Sequence, residues 1–137
     1  MAKKRADKQT TASLPPIGPE PLPMFVWTTG FAGRWAALGL THADEIRLEG
    51  AILEAPGDPS TRTDVPRLHK IRFASSRSGA GKSGGHRACY AAFLDHGVIL
   101  MVTIFGKGEK SNLSPADKAQ ALAVIREVER FLKERGR

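Results

Sequence analysis

The chain reads as a small α+β domain: a mostly antiparallel β-sheet packed with two N-terminal helices and a C-terminal helix. Three observations predict this. An apolar stripe and a helix-opening signature sit close together early in the chain, three strand-like runs follow, and a capped amphipathic segment closes it. At 137 residues the chain suits one domain with a single modest core.

Residues 1–23 form a polar lead in which Lys3, Lys4, Arg5 and Lys8 precede Pro15, Pro16, Pro19, Pro21 and Pro23. Such a segment buries too little apolar surface to offset the entropy of ordering it. A disordered tail is therefore expected, with the folded domain spanning 24–137. Met24-Phe25-Val26-Trp27 reads as a short strand. Phe31, Trp35 and Leu38 recur at i, i+4 and i+7, an apolar stripe on a short helix that Gly39 can end. Thr41, with Asp44 three residues on, opens a second helix to about residue 55, where Pro56-Gly57-Asp58-Pro59 stops it.

Strands are expected over 67–75, 85–94 and 98–106. The last is apolar throughout and so central. Asp95-His96-Gly97 makes a tight turn that joins the second and third into a hairpin. Ser114, Pro115 and Asp117 occupy the favoured N-cap, first-position and first-turn places of a final helix. Its apolar face is Ala121, Leu122, Val124, Ile125, Val128, Phe131 and Leu132.

Formal net charge is +7, and the charges are segregated. Arg62, Arg67, Lys70, Arg72, Arg77, Lys82 and Arg87 are opposed only by Asp64, whereas Asp44, Glu45, Glu49, Glu54 and Asp58 face Arg47 alone. A focused positive potential suits a polyanionic partner, most often nucleic acid; a merely soluble basic protein is the plainer alternative. The single cysteine, Cys89, allows no internal disulfide and no cysteine-based zinc site, and its apolar strand makes it a small core residue. No apolar run approaches the ~20 residues of a membrane span, and the N-terminus lacks a signal peptide's hydrophobic stretch. A cytoplasmic protein without membrane contact is expected.

Gly81-Lys82-Ser83 is a decoy. A phosphate-cradling loop needs its first glycine at position 76, which is Ser76, and a helix after the Lys-Ser pair, where Gly84-Gly85 and a β-like run stand instead. ATPase or GTPase chemistry is not expected on that ground. Alternation along the first strand puts His69, Ile71 and Phe73 on one face and Lys70 and Arg72 on the other, the two cations about 7 Å apart. His86 and Arg87 open the next strand, and Lys107 and Lys110 lie just past the central one, so neighbouring strands would gather cations from three segments.

Such a cluster has a use on RNA. Attack of a ribose 2′-OH on its own 3′ phosphate needs the hydroxyl activated, the equatorial oxygens stabilised and the leaving 5′ oxygen protonated. Lysine and arginine supply the middle task, and a lysine, histidine or tyrosine the other two. No carboxylate pair or metal-ligand cluster is visible, so no metal and no cofactor is expected.

Leu68-His69-Lys70-Ile71-Arg72, then Gly81-Lys82-Ser83-Gly84-Gly85-His86-Arg87, then Gly106-Lys107-Gly108-Glu109-Lys110 with Leu113-Ser114-Pro115 follow one another in order. In this the chain resembles the RelE/ParE superfamily of bacterial toxins, specifically its HigB-like RelE branch. Weaker similarity of pattern extends over 24–132.

The resemblance implies a RelE-like fold and the toxin of a type II toxin–antitoxin system. That toxin would be a ribosome-dependent mRNA endonuclease that inhibits translation, neutralised by a cognate antitoxin, often a helix-turn-helix protein. It further implies that the catalytic basic residues fall on Lys70, Arg72 and Arg87. Arg72 and Arg87 would stabilise phosphate, and Lys70 would do the same or assist proton transfer. Lys82, Lys107 and Lys110 would be RNA or ribosome contacts.

Two departures from the family pattern bear on the chemistry. Gly108 stands where some RelE members carry an arginine, and their C-terminal tyrosine has no counterpart, Tyr90 being the only tyrosine. On a regular strand Tyr90 points away from Arg87, and His69 shares the packed face. His86, beside Arg87 on a glycine-rich turn, is then the acid/base candidate. Two alternatives stand beside the nuclease: a ParE-like toxin that binds DNA gyrase, and a catalytically inactive relative that binds RNA or antitoxin.

Overall fold

The computed structural model describes residues 22–75, 85–106, 108 and 112–135. In chain order the elements are β1 (Met24–Trp27), α1 (Thr29–Ala37), α2 (His42–Glu54), β2 (Leu68–Phe73), β3 (His86–Phe93), β4 (Val98–Gly106) and α3 (Pro115–Arg135). Single 3₁₀ turns lie at Pro59–Thr61 and Leu94–His96.

The helices begin where their side chains can occupy orphan backbone donors. Thr28 accepts from the Phe31 amide at the start of α1, and Gly39, with φ 70°, follows its last turn in the left-handed conformation that glycine takes without strain. Thr41 and Asp44 make a reciprocal capping box at α2. Ser114 and Asp117 do the same at α3, each backbone amide donating to the other's side chain at 3.1 Å.

The sheet order is β1-β4-β3-β2. β2, β3 and β4 pair antiparallel, but β1 lies parallel to β4 at the edge, so the sheet is mixed. β4 is central, as its two-sided apolar run requires. β2 starts one residue later than expected because Arg67 holds φ 71°, which an extended strand does not allow. At the closed end of the β2–β3 pair, a Cβ on Gly85 would lie 2.6 Å from the Phe73 carbonyl oxygen, so the backbones approach more closely there than any side chain permits.

Helices cover both faces. Phe31 and Trp35 of α1 with Leu48 and Ile52 of α2 pack with Phe73, Ala88, Tyr90, Ile99, Met101 and Ile104 on one side of the sheet. On the other, Ala121 and Ile125 of α3 join Val65, Leu68, Cys89, Ala91, Phe93, Leu100, Val102, Phe105 and Leu113. A register shift helps β4 serve both cores: Tyr90 pairs with Met101 and Cys89 with Thr103, leaving Val102 as the extra residue. Beyond it the parity reverses, so that Ile104 rejoins the face of Ile99 and Met101. Thr28 secures the irregularity, its hydroxyl donating to the Val102 carbonyl at 2.9 Å and its amide to that of Met101 at 3.1 Å.

Two ion pairs tie α3 to the segment leading into β2. Lys118 Nζ meets Asp64 Oδ2 at 2.8 Å, and that hydrogen bond holds the Asp64 carboxyl below its ordinary range. Arg67 Nε donates to Glu129 Oε2 at 2.8 Å and Nη1 to the Ala92 carbonyl at 3.1 Å, while its guanidinium stacks 4.6 Å above the Phe93 ring. These contacts hold Arg67 in its unusual backbone conformation.

Candidate active site

Pairing between β2 and β3 puts Lys70 opposite Cys89, Arg72 opposite Arg87 and Phe73 opposite His86. Opposite residues share a face and neighbours along a strand alternate, so Lys70, Arg72 and Arg87 stand together on the α3 side of the sheet. Arg72 and Arg87 are direct cross-strand partners, with Cβ atoms about 5 Å apart by strand geometry. Arg72 is exposed and Arg87 partly so, and neither forms an ion pair with an acid among the described residues. Like charges directly opposite destabilise an antiparallel pair. A bare arginine pair therefore works against the sheet's own stability, which is common where a ligand supplies the missing anion.

Lys70 is half-buried, and its Nζ donates to Asn112 Oδ1 at 2.7 Å. Asn112 is the residue that sequence reasoning missed. It precedes Leu113 and the Ser114 cap, but only the folded chain brings that junction over β2. Cys89, opposite Lys70, is wholly buried in the α3-side core.

His86 does not join the cluster. It flanks Arg87 in sequence and therefore points to the opposite face, where its ring lies 6.1 Å from that of Phe73. Its Nδ1 is buried with no hydrogen-bond partner among the described residues. The expectation that His86 reaches the arginine face fails on strand alternation, because the residue lies within β3 rather than in the preceding turn.

Tyr90 and His69 are core residues of the α1/α2 side. Tyr90 is 1% exposed and its hydroxyl accepts from the Gly57 amide at 3.0 Å. The His69 ring stacks on Tyr90 with centroids 5.3 Å apart and shares a 2.9 Å hydrogen bond between Nδ1 and the Thr61 hydroxyl. Burial pushes its imidazole below the ordinary value, helped by Arg62 and opposed by the Asp58 backbone and carboxylate. His69 is therefore neutral near pH 7 and turned away from the cations.

Lys82, Lys107 and Lys110, with the Gly81-Lys82-Ser83 triplet and the lead to residue 21, lie outside the described residues. Among the described residues no group of histidine, cysteine, aspartate and glutamate side chains could hold a metal ion, and no helix is long and apolar enough to cross a membrane.

Among solved structures, the chain is similar to an arginine double mutant of E. coli toxin RelE in the free state. Identity is 16% over 77% of this chain and 99% of that chain, with a TM-score of 0.51. The fold is RelE-like. The intact E. coli RelBE toxin–antitoxin complex matches at 17% identity over 66% of this chain and 99% of that chain, with a TM-score of 0.45. The isolated E. coli RelE toxin matches at 17% identity over 80% and 99%, also with a TM-score of 0.45. No family model matches the sequence, and no curated protein does. At such identity the RelE-like architecture is shared, and the chemistry has to be argued from this chain's own residues.

Proposed function

We propose that this RelE-like chain is the toxin of a toxin–antitoxin pair and cleaves mRNA on the ribosome without a metal. The observation that carries the reading is the Arg72/Arg87 pair, two arginines in direct cross-strand register with no ion-pair partner among the described residues, and with Lys70 on the same side of the sheet. A phosphodiester passing through a pentacoordinate transition state gathers negative charge on its equatorial oxygens. Two rigidly based guanidinium forks match that charge in number and geometry.

In the proposed step the substrate's 2′ hydroxyl releases its proton to solvent water and its oxygen forms a bond to the adjacent phosphorus as the bond to the 5′ oxygen breaks. A 2′,3′-cyclic phosphate and a 5′ hydroxyl result. Arg72 and Arg87 stabilise the phosphorane. Lys70, whose ammonium stands on the same face, is the described group positioned to give a proton to the leaving oxygen, since His69, His86 and Tyr90 all face the other way. Lys82, Lys107 and Lys110 are proposed as further RNA or ribosome contacts. The three motifs of residues 67–113 support placement in the HigB-like branch, and with it a helix-turn-helix antitoxin as partner.

Primer extension on cellular mRNA after induced expression tests the reading. New 5′ ends within translated codons are expected, and Arg87→Ala should abolish both the ends and growth arrest while the protein still folds. DNA damage without such ends would instead indicate a gyrase-binding toxin. Arrest and cleavage unchanged in Arg87→Ala would remove the site assignment.

A further inference from the structure

We infer that the groove between the second half of α3 and the β3–β4 turn is a second RNA site, one that grips the phosphate backbone of duplex RNA and performs no cleavage. The choice of RNA rests on the cleavage reading above; the cationic character of the groove does not. Arg126, Arg130 and Lys133 line it from α3, and Asp95 and His96 from the turn, around a volume of about 580 Å³. The three cations recur at i, i+4 and i+7, so they stand in one stripe that runs about 10 Å along the helix. A stripe of that length and charge faces several successive phosphates of one strand.

Helix stability does not account for the stripe. Lys133 lies in the last turn, where a cation complements the helix dipole. Arg126 and Arg130 lie further back, and like charges at i and i+4 destabilise a helix. Glu127 and Glu134 stand one turn either side of Arg130. Even so, Arg126, Arg130 and Lys133 are all exposed, and none forms an ion pair among the described residues. Glu129, the acid that α3 adds to the lining, is already held by Arg67 at 2.8 Å. Three cations therefore face the single remaining carboxylate of the described lining, Asp95.

The walls suit a duplex rather than a single strand. Single strands are gripped by stacking their bases on exposed rings. Phe93, the ring in the groove, is only 2% exposed and lies beneath the Arg67 guanidinium. What the groove offers is charge, which fits a duplex whose bases are turned inward and whose backbone is outermost. Arg87 and Phe93 share the α3 face of β3 but stand six residues apart, roughly 20 Å, so one phosphate cannot touch both the groove and the arginine pair.

Equilibrium binding of a short RNA duplex to the full-length protein, read by fluorescence anisotropy between about 0.05 and 0.2 M salt, decides the matter. Arg126→Ala/Arg130→Ala is expected to weaken binding roughly tenfold or more and to flatten the slope of log K against log salt by about 1.5, the loss of two phosphate contacts. Arg126→Lys/Arg130→Lys should keep both affinity and slope, because a backbone site reads charge. Alanine and lysine are good helix formers, so both variants should melt at the wild-type midpoint. Unchanged affinity and slope in the alanine variant overturn the inference, as does a folded lysine variant that binds as weakly as the alanine one. A DNA duplex of the same sequence bound as tightly as the RNA overturns the choice of RNA. New 5′ ends in mRNA with duplex binding indifferent to both arginines would remove the groove alone. No new ends, with binding that tracks the arginines, would remove the cleavage reading alone.

Discussion

Replacing Arg72 by glutamate turns the like-charge cross-strand pair into an opposite-charge pair, and the consequence for stability can be worked out. Guanidinium heads on Cβ atoms about 5 Å apart splay to roughly 7 Å, where two unit charges in water repel by about 0.6 kcal/mol. A carboxylate opposite Arg87 exchanges that repulsion for an attraction of similar size. The swing is about 1 kcal/mol at low ionic strength, equivalent to a rise of about 4–6 °C in the unfolding midpoint for a domain of this size. At 1 M salt the screening length of about 3 Å leaves on the order of a tenth of it. Circular-dichroism melts of wild type and Arg72→Glu at about 0.01 M and 1 M sodium chloride read this directly. The variant should be the more stable protein at low salt, equal at high salt, and at least 100-fold slower on RNA, having lost one equatorial-oxygen donor and gained a repelling charge. A midpoint at low salt that is unchanged or lower would refute the face-to-face arrangement. So would a gain that persists at 1 M.

Two further substitutions separate core from site. Tyr90→Phe removes the acceptor for the Gly57 amide and should cost about 1 kcal/mol in denaturant unfolding while leaving RNA cleavage by the folded protein intact; slower cleavage would mean the hydroxyl acts on substrate. His69 supplies a pH dependence of definite sign. Its folded pKa lies below the ordinary 6.5, so as pH falls through 6.5 the unfolded chain takes up a proton that the folded chain refuses. Stability is then complete above that value and declines below it, by at most about 1.4 kcal/mol per pH unit, until the folded pKa is reached. His69→Gln should flatten the decline of the midpoint as pH falls below 6.5, and identical slopes in the two proteins would contradict a buried, neutral imidazole.

Much of the architecture is legible in short stretches of the chain because its signals are local. The caps at Thr41 and Ser114, the apolar run of β4 and the alternation of Lys70 and Arg72 against Ile71 and Phe73 are each read within a few consecutive residues. Residues far apart in the chain carry no such record of one another. That β1 lies parallel beside β4, that α3 covers the face opposite α1 and α2, and that Arg72 meets Arg87 are settled by long-range pairing and by which apolar surfaces close together. His86 shows the boundary between the two. Its face follows from its place in the strand, but that β3 begins at His86 depends on the pairing of Phe73 with it. Asn112 lies wholly on the tertiary side, because nothing near it in sequence points to a lysine forty-two positions away, and only the docking of α3 onto the β2 approach brings the two within a hydrogen bond.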